Sequence, residues 1–179
     1  VLGSSIEERP TEVNTREKFG HWETDLVIGS KSGEDNVLLT LLERKTRQLK
    51  AIRLPDKSAE SVIAAFQSIR NSLGDHFSDI FKTITTDNGS EFAKLSELEQ
   101  DSRTKIYFAH PYSSWEKGSI ENHNGLIRRF LRKGRRLDSY SADDILAVEL
   151  WANALSRTIL GYRTPDEAFE AEMDAIYAA

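Results

Sequence analysis

Between residues 21 and 54 three extended segments follow one another with connections too short to hold a helix, which constrains the chain to begin its core as an antiparallel meander. "HWETDLVIG" alternates, placing Glu23, Asp25 and Val27 on one face and Trp22, Thr24, Leu26 and Ile28 on the other. "SKSGED" turns the chain, "NVLLTLLERKT" is a strongly apolar second strand, and "RQLKAIRLP" alternates as a third that Pro55 stops. Downstream the pattern changes. Ser58 caps a helix whose Val62, Phe66, Ile69 and Leu73 recur at helical steps until Gly74. "FKTITTDNG" reads as a fourth strand, "SEFAKLSELEQ" as a short helix, "TKIYFAH" as a fifth strand and "SIENHNGLIRRFLRK" as another helix. Strands separated by helices pair in parallel. The expected class is α/β: a mixed five-stranded sheet, three antiparallel strands and then two parallel, flanked by helices. Further C-terminal helices start at Ser141, which forms a capping box with Asp144, and at about Asp166.

A chain of 179 residues fits one domain with a sizeable core. Residues 1–18 are polar without an apolar period and read as an arm or linker that carries no core, leaving 19–179 as the domain. Cysteine is absent, so disulfides and thiolate metal sites are excluded and any metal must be held by oxygen or imidazole. No apolar run approaches a membrane span and no signal-peptide pattern opens the chain, so the expectation is a soluble, intracellular protein. The formal charge of −5 argues mildly against nucleic-acid binding. The average hides "RRFLRKGRR", with Arg128, Arg129, Arg132, Lys133, Arg135 and Arg136, while acid collects in "SELEQD" and "DEAFEAEMD". Such a basic run is as often a solvated face as a phosphate track.

Three acids fall where the topology can gather them. Asp25 sits mid-strand, where aspartate is disfavoured; Asp87 ends the fourth strand; Glu121 lies in the first turn of the helix after the fifth. If the fourth strand pairs beside the first, the two aspartates become neighbours and the helix start can swing Glu121 over them. Magnesium takes octahedral oxygen ligands from a few carboxylates and substrate phosphate. Two such ions can activate the attacking oxygen of a phosphodiester exchange and stabilise the leaving one, with Asp25 best placed to bridge them. Simpler roles stand beside this one: an Asx turn for Asp87 within "DNG", an exposed strand face for Asp25, and a helix-dipole partner for Glu121. Glu121, Asn124, Arg128 and Arg132 follow one helical stripe, along which a phosphate backbone could run. Tyr112, Trp115 and Lys117 in the preceding loop offer stacking platforms and a charge, or anchor the loop by partial burial. Glu23, Glu91 and Glu116 compete for the metal: Glu91 is better read as satisfying helix-start amides and Glu116 as facing solvent. His21, His110 and His123 are candidate proton carriers, each more often just a surface or core group.

At these residues the sequence resembles the D-D-E transposases and retroviral-type integrases with a ribonuclease H-like core, most closely the transposases named after insertion sequence thirty. The likeness lies in "GHWETDLVIG", "TTDNGSEFA", "YFAHPYSSWEKGSIENHNGLIRRFLRKG" and "LGYRTPDEAF", and thirty-three residues separate Asp87 from Glu121. The resemblance implies that Asp25, Asp87 and Glu121 are the catalytic, metal-binding triad. It also implies two Mg2+ ions, with Mn2+ able to substitute. The activity implied is DNA transposition: water nicks a transposon end and the freed 3′-hydroxyl attacks target DNA. DNA contacts are expected from Tyr112, Trp115, Lys117, Asn124, Arg128, Arg129, Arg132 and Lys133. Terminal inverted repeats and target DNA are the implied partners, the working assembly a homodimer or higher, and the location the bacterial cytoplasm, at the nucleoid when bound to DNA, with no membrane. The helix-turn-helix region that such proteins carry upstream has no counterpart here, so the chain reads as an isolated catalytic domain. Two alternatives remain at this point: a catalytically silent DNA-binding or oligomerising module, and a ribonuclease H-type nuclease. "WANALSR" and Thr24 depart from the family's usual residues without touching the triad.

Overall fold

The computed structural model describes residues 2–31 and 34–179, with the side chains of residues 114 and 115 outside that description. In chain order it comprises α1 (Glu12–Thr15), β1 (His21–Ile28), β2 (Val37–Glu43), β3 (Leu49–Leu54), α2 (Ala59–Leu73), α3 (Phe77–Ile80), β4 (Thr83–Thr86), β5 (Lys105–Phe108), α4 (Gly118–Ile127), α5 (Ala142–Asn153) and α6 (Pro165–Ala178). One sheet of order β3-β2-β1-β4-β5 forms the centre. β1–β2 and β2–β3 are antiparallel, whereas β1–β4 and β4–β5 are parallel, as the segment order requires.

β2 explains why the sheet has helices on both faces. Every residue of "VLLTLLE" is buried, so neither of its faces meets water. Leu39 and Leu41 join Trp22, Ile84, Ile106 and Phe108 in a core closed by Val62, Ile63 and Phe66 of α2. On the opposite face Leu38 and Leu42 meet Val27, Ile120 and Ile127 of α4, and Ile145 and Val148 of α5. A fully buried side chain of this size contributes about 1.5–3 kcal/mol relative to exposure. Ser58, Ser141 and Thr164 cap α2, α5 and α6, the last two through full capping boxes.

Three expectations are corrected. Residues 1–18 do contribute to the core: Val13 is fully buried, Ser5 bridges Phe108 beside β5, and Arg9 donates to Thr85 Oγ1 at 3.0 Å. "SEFAKLSELEQ" forms two 3-10 turns, Ser90–Phe92 and Leu95–Glu99, because its buried Phe92, Leu95 and Leu98 recur every third residue, the 3-10 period. The helix after β5 ends at Ile127, and the chain then tightens, Phe130 N bonding Ile127 O at 3.0 Å, so that Leu131 is buried below.

His21 opens β1 buried, its Nδ1 2.8 Å from Thr83 Oγ1, and burial pushes its pKa down to about 4. A histidine that stays neutral in the fold but charges when unfolded stabilises fully above about pH 6.5 and loses that stability as pH falls toward 4. Glu23 and Glu43, whose carboxyls burial pushes up, tilt the profile the opposite way, so the histidine shows in a difference. In urea denaturation from pH 7 to 4.5, wild type should lose stability relative to His21→Gln by up to about 1.4 kcal/mol per pH unit. Parallel profiles would mean that His21 charges freely in the fold.

Candidate active site

The site is built where β1 runs past the end of its parallel neighbour. β1 and β4 pair Glu23 with Thr85, and two residues further along that register Asp25 lies level with Asp87, just beyond the last residue of β4. Glu23 itself sits two residues before Asp25 on the same face, fully buried. Its Oε2 accepts from Ile120 N at 2.7 Å, and its Oε1 is ion-paired with Arg44 Nη1. Burial raises the Glu23 carboxyl, and the Arg44 guanidinium and the Ile120 N–H oppose that shift. Glu23 is therefore no competitor for a metal. It holds the N-terminus of α4 against β1, and Glu121, one residue after Ile120, comes with it.

Asp25 is gripped on both oxygens. Oδ1 accepts from Leu26 N at 2.9 Å and Oδ2 from Asn124 Nδ2 at 3.0 Å; Asn124 Oδ1 accepts in turn from Thr40 Oγ1 at 3.0 Å. Asp87 forms the Asx turn of "DNG", Oδ1 accepting from Gly89 N at 2.9 Å, and still presents Oδ2 to the cleft. Glu121 is exposed, its carboxylate unpaired among the described residues. The three acids line one cleft of about 410 Å³ together with Lys117, Glu91, His110 and Tyr112. Burial pushes the Asp25 carboxyl up, and the nearby carboxylates of Asp87 and Glu121 push the same way against the Lys117 ammonium and the Leu26 N–H. A larger hollow of about 610 Å³ lies by Arg70 and Arg103, but Arg70 there is already ion-paired with Asp101.

Lys117 is the unexpected member. Only 3% exposed, it sets its Nζ 3.4 Å from Asp87 Oδ2 and 3.7 Å from Asp25 Oδ1. Among the described residues no group of three or more acidic or histidine side chains is arranged to hold a metal. A cation nevertheless already stands between the two aspartates, and an all-oxygen donor set of two such carboxylates with a third on the rim suits a hard divalent ion.

The residues expected to meet DNA divide. Asn124 points inward to Asp25, and Lys117 is buried between the aspartates; neither is a groove contact here. Arg128, at the C-cap of α4, donates to Ile28 O at 2.7 Å, so the stripe from Glu121 breaks there. Arg129, Arg132 and Lys133 are exposed on the turn that follows. Tyr112 is wholly exposed at the cleft with φ of 61°, and the side chain of Trp115 lies outside the description. Glu116 does not face solvent alone: it accepts from His110 N at 2.9 Å and pairs with His110 Nδ1 at 2.8 Å, which raises the histidine's pKa. Glu91 reaches the cleft instead of merely serving its own turn. His123 is buried, its Nδ1 2.9 Å from Ser119 O, and burial lowers it to about 4, which leaves it neutral.

The Glu23 anchor is testable by contrast. Glu23→Ala leaves Arg44 buried without its counter-charge and should cost about 3–5 kcal/mol in urea denaturation. Asp87→Asn, which keeps an acceptor for Gly89 N, should cost less than about 1 kcal/mol. Equal costs would remove Glu23 from its structural role.

Comparison with known proteins follows the same lines. The chain is 40% identical over 174 residues to the probable transposase for insertion-like sequence element IS1161 of Streptococcus salivarius, covering 97% of this chain and 48% of that protein. It is 36% identical over 170 residues to the transposase InsI for insertion sequence element IS30A of Escherichia coli strain K12, covering 95% and 43%. It thus spans about half the length of these relatives. In fold it is similar to a chain of the simian T-cell lymphotropic virus intasome solved in complex with PP2A regulatory subunit B56 gamma, with a TM-score of 0.63 at 19% identity over 81% of this chain and 52% of that one. The sheet is accordingly ribonuclease H-like. Residues 15–114, which hold the sheet and both aspartates, match the integrase core domain family, and the chain belongs to that family.

Proposed function

We propose that this chain is the catalytic domain of a D-D-E transposase that cleaves and joins DNA strands at transposon ends by metal-dependent phosphoryl transfer. The observation that carries this reading is the gathering of Asp25, Asp87 and Glu121 about one cleft. Support comes from the similarity to insertion-sequence transposases over nearly the whole chain. Asp25, Asp87 and Glu121 would hold the metal, best two Mg2+ ions with Mn2+ able to replace them. Such ions supply Lewis-acid activation of the attacking oxygen and charge stabilisation of the leaving one.

The chain's own residues supply position. Asp25 is paired with Thr40 of β2 just beyond the end of the β4 ladder and its oxygens are held by Leu26 N and Asn124, so its carboxylate is fixed before substrate arrives. Glu121, on the rim and free to turn inward, completes the set only from its anchored helix start. In joining, a 3′-hydroxyl oxygen forms a bond to phosphorus as the bond to the displaced 3′-oxygen breaks, so one phosphodiester replaces another and no energy source is needed. Tyr112 offers a ring for base stacking, and Arg129, Arg132 and Lys133 offer charge for phosphates. The proposed partners are terminal inverted repeats and target DNA, and because two ends must meet, the working assembly is a homodimer or higher. The proposed setting is the bacterial cytoplasm at the nucleoid.

Two experiments test this reading. A branched DNA that mimics a joined product should be resolved by the wild type with Mg2+ or Mn2+, and by none of Asp25→Asn, Asp87→Asn or Glu121→Gln, although each keeps the wild-type circular dichroism spectrum. A variant as active as wild type loses its place in the triad, and cleavage confined to RNA strands of hybrids would favour a nuclease. In DNA binding, Arg132→Ala should lower the magnitude of the salt slope by about 1, whereas Arg128→Ala should leave it unchanged because that guanidinium is spent on Ile28 O. The reverse pattern would place the DNA track along the helix instead of the turn.

A further inference from the structure

Lysine is seldom buried unless paired, and when paired it usually keeps its head at the surface. Lys117 is 3% exposed and sets its Nζ within reach of both Asp25 and Asp87 in the cleft, at 3.7 and 3.4 Å. The oxygens that turn away from it are taken: Asp25 Oδ2 by Asn124 and Asp87 Oδ1 by Gly89 N. Of the two oxygens nearest Lys117, Asp25 Oδ1 also accepts from Leu26 N at 2.9 Å and Asp87 Oδ2 accepts from Lys117 Nζ, so each acid turns one oxygen toward the ammonium. The geometry points to Lys117 as the resident counter-cation of this cleft, holding Asp25 and Asp87 together at the place a divalent ion takes, and giving up that place when the ion binds.

The exchange, unlike the holding, rests on the metal-dependent function proposed above. It follows from charge alone. Two facing carboxylates without a cation repel each other in a partly buried cleft, and a lysine supplied from the residue just before α4 removes that repulsion without metal. An ammonium and a divalent ion cannot both occupy the gap, since their repulsion at contact exceeds thermal energy several-fold even at the dielectric constant of water. Binding the ion therefore requires Lys117 to leave, and the work of its leaving is subtracted from the affinity for metal. The domain gains an ordered site before metal and substrate arrive, at the expense of weaker metal binding.

Lys117→Met, which keeps the length and removes the charge, is the discriminating variant. Mn2+ binding, read from the loss of the free-ion electron paramagnetic resonance signal without DNA, should be at least about ten-fold tighter in Lys117→Met than in wild type, the factor that about 1.4 kcal/mol makes. Lys117→Arg, which keeps the charge, should gain nothing. Without metal, urea denaturation of Lys117→Met, Asp87→Asn and the double variant should show that the loss caused by Lys117→Met shrinks when Asp87 is already neutral. Equal or weaker Mn2+ affinity in Lys117→Met overturns the exchange, and additive stability losses overturn the holding role. If neither protein binds Mn2+, the exchange fails together with the metal-dependent reading, while the denaturation cycle still decides whether Lys117 holds the aspartates.

Discussion

The buried carboxylate of Glu23 is the joint on which the rest of the molecule depends. One oxygen takes the Ile120 N–H at the start of α4, and the other takes Arg44 at the end of β2. Arg44 Nε in turn donates to Val13 O at 3.1 Å, so the N-terminal arm, the central strand, the meander and the helix that carries Glu121 meet at a single ion pair. A charge buried to this extent is tolerable only when paired and hydrogen-bonded, and here both conditions are met. Because the joint lies two residues before Asp25 on the same strand face, whatever fixes α4 also fixes the helix start relative to the aspartates.

Two acids on one face of β1 are thus put to opposite uses. Glu23, deep in the sheet, is neutralised by Arg44 and bonded by the Ile120 N–H. Asp25, one strand step further toward the carboxyl end of β4, is held in place by Asn124 and opens onto a cleft that holds Asp87 and Glu121. Burial above all, and then the Asp87 and Glu121 carboxylates, push the Asp25 carboxyl up against the opposing Lys117 ammonium. Pairing with β2 through Asp25 and with β4 as far as Glu23 anchors the strand that bears this load.

Much of this was legible in the sequence, and the boundary is physical. The strands, α2 and the parallel pairing of β4 with β5 follow from local periodicity and from the rule that helices join parallel strands, whereas Asp87 beside Asp25 followed only on the condition that β4 pairs with β1, as it does. The three-residue spacing of Phe92, Leu95 and Leu98 was present in the sequence too, though it reads as a helix unless the period is weighed against 3.6. Other features depend on distant partners that no local pattern encodes. The helix after β5 stops at Ile127 because Leu131 must be buried and Arg128 finds Ile28 O a hundred residues away. Glu23 read as a competitor for the metal and Lys117 as a DNA-facing charge because their partners, Arg44 and Ile120 for one, Asp25 and Asp87 for the other, come together only in the folded chain.

The claim that joins these features is that the cleft between Asp25 and Asp87 is a cation site, filled by Lys117 until a divalent ion replaces it. Crystals grown without metal and soaked in MnCl2, measured near the manganese absorption edge, address it directly. The account predicts an anomalous peak between the two aspartates, with the Lys117 side chain turned out of the gap. A peak elsewhere, or none with the ammonium still lodged between the carboxylates, would contradict it.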